Sequence, residues 1–151
     1  MAAMAIARFV SLKMGSRGKG SLGQSLRHLD KHFQSAEITR PELSHENRSY
    51  ITNPPSYKQL IGVAKRYEEK HNTAVDEWNR THDKPKRRHL KKGASQFIEG
   101  LFTYSPEMEG KISVADWAEA TINFIKREFK DKGCKVARCE LHRDEKTTHI
   151  S

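Results

Sequence analysis

The sequence predicts an α+β fold in which an antiparallel sheet carries helices on one face and leaves the other face open. Three observations lead there. Residues 134–142 alternate, with Ala137, Cys139 and Leu141 on one side and Val136, Arg138, Glu140 and His142 on the other, as in a strand covered on one face only. Just before them, Val114, Trp117, Ala118, Thr121, Ile122, Ile125 and Phe129 mark one apolar face of a helix over 114–131, suited to cover that strand. The polar side of the strand then runs into His142-Arg-Asp-Glu145-Lys-Thr-Thr-His149-Ile-Ser151, a set of imidazoles and carboxylates that belongs on an accessible surface.

The other elements follow in order. Residues 4–12 form a first strand, supported by Ile6, Phe9 and Val10. Gly15 to Gly23 is too rich in glycine for regular structure. Ser21 or Gly23 opens a short helix in which Leu22, Leu26, Leu29 and Phe33 share one face, with His28 at its polar margin and Lys31 and His32 beyond. The polar stretch through Asn47 to Asn53-Pro-Pro55 shows neither a helix nor a strand pattern. Ser56 caps a second helix over 57–71, whose stripe is Tyr57, Leu60, Ile61, Ala64 and Tyr67. Residues 79–93 read as a basic hinge, and Phe97–Tyr104 as a strand closed by Ser105-Pro106. Ser113 with Asp116 makes a capping pair for the 114–131 helix, which Gly133 ends.

Length fits one domain. The formal net charge is +9, from 28 basic and 19 acidic residues, which favours a polyanionic partner through phosphate neutralisation and counterion release. A merely basic surface has the same composition. No apolar run is long enough to span a bilayer, and Arg8 interrupts the N-terminal Ala/Met segment before a signal-peptide core forms, so a cytosolic protein is the simplest expectation. The two cysteines, Cys134 and Cys139, are an odd number of residues apart on the predicted strand; they point to opposite faces and are expected as free thiols.

His142, Glu145 and His149 are the candidate chemical centre. Neutral imidazoles with a neighbouring carboxylate suit Mn²⁺, Zn²⁺, Ni²⁺ or Co²⁺. The bland alternative is a polar turn whose charges are solvated. Lys84-Pro-Lys-Arg87-Arg88-His-Leu-Lys91-Lys92 is by itself a solvated loop, and becomes a phosphate contact if it lies near a metal.

These segments together resemble the Mob/Pre (MobV-type) plasmid mobilisation and recombination relaxases of the HUH class. The C-terminal cluster is similar to that family's His-x-Asp-Glu-x-Thr-Pro-His-φ-His motif. Ala7-Arg8 leading into Gly20-Ser-Leu-Gly23 and His28 resembles its N-terminal strand, glycine turn and first histidine. Thr39-Arg-Pro41-Glu-Leu-Ser44-His-Glu-Asn47 resembles its Pro-Ser-x-x-x-Asn segment, and Arg87-Arg88-x-Leu-Lys91-Lys92-Gly-Ala94 its Arg-rich segment before a central strand. The likeness spans essentially the whole chain, as the N-terminal part of an HUH relaxase catalytic domain over 1–151, cut off just after the histidine motif.

The resemblance implies metal-dependent nicking and strand transfer of single-stranded DNA at a plasmid transfer origin, through a covalent 5′-phosphate intermediate, in a bacterial cytoplasm. It implies Mn²⁺, with Mg²⁺ as the other choice, held by His142 and His149. His28 matches a nucleophile, with Tyr50, Tyr57 and His32 as rivals, and Glu145 the motif's carboxylate. Arg87, Arg88, Lys91, Lys92 and Lys31 match DNA-binding positions. A homodimer would use a region C-terminal to this chain. The sequence departs from the pattern at three places: Ser151 stands for the third histidine, Thr148 for the proline, and Lys31 for an arginine. Ser151 makes a non-cutting DNA-binding remnant the main alternative, and a small metalloprotein unrelated to DNA is a third reading.

Overall fold

The computed structural model describes residues 5–30 and 38–151; Lys31, His32 and Phe33 lie outside them. The chain divides into two compact units, one formed by Met1–Val10, Arg27–Pro54 and Glu99–Ser151, the other by Ser11–Leu26 and Pro55–Ile98. In chain order the elements are β1 (Ala5–Leu12), α1 (Leu22–Leu29), a 3₁₀ turn (Pro41–Glu46), β2 (Arg48–Ser49), α2 (Tyr57–Thr81), β3 (Phe97–Tyr104), α3 (Val114–Lys130), β4 (Glu140–His142) and β5 (His149–Ile150). No helix among the described residues is long and apolar enough to cross a membrane.

The first unit is built on the sheet, in the order β1-β3-β5-β4-β2. The β2–β4, β4–β5 and β3–β5 pairs are antiparallel. Its core joins Phe102, Cys139, Leu141 and Ile150 from the sheet side to Ala118 on α3, with Trp117, Ile122 and Ile125 packed around them. Ala118 is fully buried; a side chain no larger than methyl at the centre of the helix lets α3 come down onto the sheet. The helix starts where expected, with the Ser113 hydroxyl accepting from the Asp116 amide. On the same face, Phe9 meets Phe102 edge to face with ring centroids 5.5 Å apart. A Cβ on Gly100 would sit 3.1 Å from both rings, so the bare glycine lets this aromatic pair close.

Two expectations for this unit are corrected. The predicted 134–142 strand is a strand only at Glu140–His142, and Val136, assigned to the open side, packs against the core instead. β2 offers it just two paired residues, so the ladder ends at Glu140 and the alternation has no sheet to follow further upstream. The polar stretch after Phe33 is not featureless, since Pro41–Glu46 makes a 3₁₀ turn and Arg48–Ser49 pairs with β4. Both cysteines are free, Cys134 exposed and Cys139 buried. Burial, helped by Glu140 nearby, pushes the Cys139 thiol up to about 11, so it is a protonated core residue at neutral pH.

In the second unit, α2 runs to Thr81, ten residues past the predicted end. Its start is a full capping box, with Ser56 accepting from the Gln59 amide and the Gln59 side chain accepting from the Ser56 amide. The extension forms without an apolar stripe because the basic segment folds back along it. Asn72 accepts from the Leu90 amide, Asp76 meets His89 at 2.6 Å, and Asn79 brackets Arg87 by accepting from its amide and donating to its carbonyl. These three positions lie four and three residues apart on one side of the helix. Trp78 is stacked between the His82 ring and the Arg87 guanidinium, each centred 3.5 Å away. Lys86 donates to the Asn79 and His82 carbonyls, covering the C-terminal end of the helix. The predicted hinge is therefore an ordered strap. In the first turn of α1, Gly23 is required by close approach, since a Cβ there would collide with the Ser16 carbonyl.

Candidate metal centre

His142 and His149 face each other as a directly paired couple on β4 and β5, and the six residues between them form the turn that carries Glu145. Ile150 and Leu141 are the neighbouring pair and point into the core, so the two histidines point to the opposite face of the sheet. His28, near the end of α1, belongs to the same unit and comes onto that face. Its ring lies 6.0 Å from that of His142 and 6.4 Å from that of His149, centroid to centroid. Two residues further on, Asp30 is paired with Arg138 at 2.5 Å, and Arg138 also holds Glu140, which ties the end of the helix to β4.

Three imidazole nitrogens surround one carboxylate. His142 Nδ1 and His28 Nε2 stand 3.3 and 3.9 Å from Glu145 Oε1, and His149 Nε2 stands 3.7 Å from Oε2. One donor atom from each of His28, His142, Glu145 and His149 can be chosen such that all four lie within 4.8 Å of one another. His142 Nδ1 is buried and makes no hydrogen bond among the described residues. A buried imidazole nitrogen that makes no hydrogen bond is costly, and a divalent cation between it and the Glu145 carboxylate fits the arrangement. Burial pushes the His149 imidazole below its ordinary value, against the opposing pull of the Thr147 carbonyl and Glu145. At neutral pH it is uncharged, the form that ligates. A shallow cleft of about 590 Å³ opens beside the cluster, with Leu101, Thr103 and Lys146 in its walls.

The turn is held from below by residues the sequence left unstructured. The buried Asp144 accepts at its carbonyl from the Thr39 and Arg40 amides (3.0 and 2.8 Å) and at its carboxylate from the Ser44 hydroxyl (2.8 Å). Asn47 accepts from the Arg143 amide at 2.7 Å, and Arg40 donates to the Glu145 carbonyl at 2.8 Å and to Thr148 at 3.2 Å. Glu109 closes the network, accepting from the Tyr104 hydroxyl at 2.5 Å and from Arg143 at 2.7 Å. None of Arg40, Glu109 and Asp144 was singled out by sequence reading; the Pro41–Asn47 likeness was the available signal for this region.

Burial would raise the Glu109 carboxyl, but Tyr104, Arg143 and Arg40 together hold it below the ordinary glutamate value of 4.5. A carboxyl depressed on folding stabilises the protein above its unfolded pKa, and that stabilisation is lost as pH falls through the folded value. Its side chain is 33% exposed, so the stability gap between wild type and Glu109→Gln is expected to be about 1–2 kcal/mol at pH 7. The gap should close progressively below pH 4.5, as read from urea midpoints across pH.

The other predicted site residues separate into groups. Arg87, Arg88, Lys91 and Lys92 belong to the second unit; Arg87 is committed to Trp78, while Arg88, Lys91 and Lys92 are exposed. Lys31 and the rival nucleophile His32 lie outside the described residues. Tyr50 packs on the helix-covered side of the sheet, away from the histidines, and Tyr57 is in the second unit. One basic residue was overlooked: Arg8 is exposed on β1, and by alternation it shares the histidine face with Ile6 and Val10, since Phe9 faces the core.

The described residues thus form an open antiparallel sheet with a His/Glu cluster on its bare face. No protein-family model and no curated protein matches the chain. Among solved structures it is similar to the MobM relaxase domain (MOBV; Mob_Pre) in a Mn-bound crystal structure with 22 nucleotides of plasmid oriT DNA. The TM-score is 0.62 at 22% sequence identity, over 97% of this chain and 67% of that one. A second Mn-bound structure of the same domain, with oriT DNA carrying a 3′-thiophosphate, gives a TM-score of 0.60 at 21% identity over the same shares.

Proposed function

We propose that this chain acts on single-stranded DNA at a plasmid transfer origin, nicking one strand with the help of a divalent cation, Mn²⁺ before Mg²⁺. The observation that carries this reading is the convergence of His28, His142, Glu145 and His149 on the bare sheet face, in a fold whose solved examples hold Mn and oriT DNA. His142, His149 and Glu145 hold the ion. When bound, the ion polarises a phosphodiester oxygen as a Lewis acid.

The chain's own part is to hold the strand and supply the attacking group. Arg8 shares β1 with Ile6 and Val10, the neighbouring strand β3 carries Leu101, and all four are exposed, which offers phosphate neutralisation on a sheet that also bears apolar surface for bases. In the strand-transfer reading a side-chain nucleophile bonds to phosphorus as the bond to the 3′-oxygen breaks. The 3′-oxygen leaves with the electron pair and takes up a proton, and the 5′-phosphate stays on the protein. The resemblance gives this attack to His28, which among the described candidates His28, Tyr50 and Tyr57 is the one at the cluster.

Ser151, where the motif carries its third histidine, favours the second reading, a domain that binds the strand without cutting it. Incubating a labelled single-stranded oligonucleotide bearing the host element's own transfer origin, with and without Mn²⁺, separates the two. A shortened strand and a protein–DNA adduct that need Mn²⁺ support nicking; retention without a cut product supports the remnant.

The strap supplies a further expected result. Arg88 and Lys91 are held exposed by the hydrogen bonds along α2, ready for phosphates. Arg88→Ala with Lys91→Ala is expected to lower single-strand affinity and reduce the slope of log affinity against log salt by about 1.4, at 0.7 per lost contact. Unchanged affinity and slope in a filter-binding titration would reduce the strap to a solvated loop.

A further inference from the structure

We infer that His28 is the third imidazole of the metal centre in this chain, filling the place left by Ser151, and is not the group that attacks phosphorus. The inference rests on the metal-assisted reading above and revises one role within it.

The donor count comes first. Without His28, the β4–β5 turn offers two imidazoles and one carboxylate, three donors from a single eight-residue segment. The next residue able to face the same way is Ser151, because Ile150 points into the core and Ser151 continues the antiparallel pairing with Glu140 at 2.7 and 3.0 Å. Its hydroxyl is buried and makes no hydrogen bond among the described residues, and a neutral hydroxyl is a far weaker ligand than an imidazole. Across the turn, His28 Nε2 faces the same Glu145 oxygen that His142 Nδ1 faces. The fourth donor is therefore supplied from α1.

The donor spacing fits the ligand role. Two ligands on opposite sides of one ion, each about 2.1 Å from it, are roughly 4.2 Å apart. The four donor atoms span at most 4.8 Å, so closing by about half an ångström lets all of them reach one ion. An attacking nitrogen must instead sit about 3–3.5 Å from phosphorus, with a phosphate oxygen between phosphorus and the ion. That role needs a phosphate oxygen between His28 and the ion, whereas Nε2 here faces the same Glu145 oxygen as His142 Nδ1, as two donors to one ion would. The Asp30–Arg138 pair anchors the chain two residues after His28.

The test uses the whole chain and Mn²⁺ alone, without DNA, so its outcome does not depend on nicking. Pulsed EPR of the Mn²⁺-loaded wild type should count three coordinated imidazole nitrogens, and two in His28→Ala. Calorimetric titration should show His28→Ala weakening Mn²⁺ binding by at least tenfold, the lower end of what loss of even an outer-shell partner costs. Adding Ser151→His to His28→Ala should recover most of that affinity. Two nitrogens in the wild type, or unchanged affinity in a folded His28→Ala, overturns the inference. If His28→Ala does not fold, the nitrogen count of the wild type decides alone. A chain that binds Mn²⁺ through three imidazoles yet never cuts an oligonucleotide would refute the nicking function and leave this assignment standing.

Discussion

His142→Ala is expected to abolish Mn²⁺-dependent nicking, by more than the roughly 100-fold that changes outside the ligand shell cost, while leaving the metal-free protein as stable as the wild type or more so. The side chain is 3% exposed, its Nδ1 is buried without a hydrogen bond, and Glu145 lies 3.3 Å away. Removing it takes away a ligand and at the same time relieves a buried imidazole nitrogen that makes no hydrogen bond and faces the Glu145 carboxylate at 3.3 Å. A structural histidine would show the reverse pattern, losing melting temperature in EDTA along with activity. Thermal melts with and without Mn²⁺, beside the oligonucleotide assay, separate the two cases. An ion-induced rise in melting temperature should appear in the wild type and vanish in the variant.

Ile150→Ala carries the largest expected loss of stability, about 2–5 kcal/mol. Ile150 has no exposed surface and sits in β5 between two strands, against Phe102, Leu141, Cys139 and Ala118. With strands on both sides and α3 across the core, the neighbours have little room to collapse into the space left by the lost atoms. The substitution also loosens the strand that presents His149, so Mn²⁺ affinity should fall although no ligand has changed. Chemical denaturation measures the first effect and calorimetry the second. A loss below 1 kcal/mol would mean that β5 is not the centre of the core.

Much of this was legible in the sequence where local pattern and tertiary role agree. α3 kept its apolar face and its serine cap, β3 matched its predicted limits, and His28, His142 and His149 met on one face. The strand pattern before His142 pointed to a strand-turn-strand arrangement of His142, Glu145 and His149, with a solvated turn as the alternative. Other elements are defined by partners distant in sequence. α2 continues over 72–81 because Asn72, Asp76 and Asn79 bond to a segment some ten residues further on, which no periodicity of apolar residues announces. β2 is two residues long and exists only because β4 lies beside it. The support of the metal turn by Arg40, Ser44 and Asn47 spans about a hundred residues, so the segment showed a family likeness but no sign of what its side chains hold. The β4 strand was overcalled for the opposite reason, since its alternation was clear but no partner extends far enough to use it.

The pairing of His142 with His149 across one ladder step has an evolutionary consequence. Six residues separate them, and both strands alternate between core and cleft. Inserting or deleting a single residue would shift one strand by one position and present Ile150 or Leu141 where an imidazole should be, emptying the centre and burying charge in the core together. Substitution within the turn is a far milder change wherever the side chain is not one of those that anchor it. Across descendants of this gene, the length of that loop should stay frozen while Lys146 and Thr147 drift freely, and lineages that have abandoned the metal should be the ones whose loop length varies.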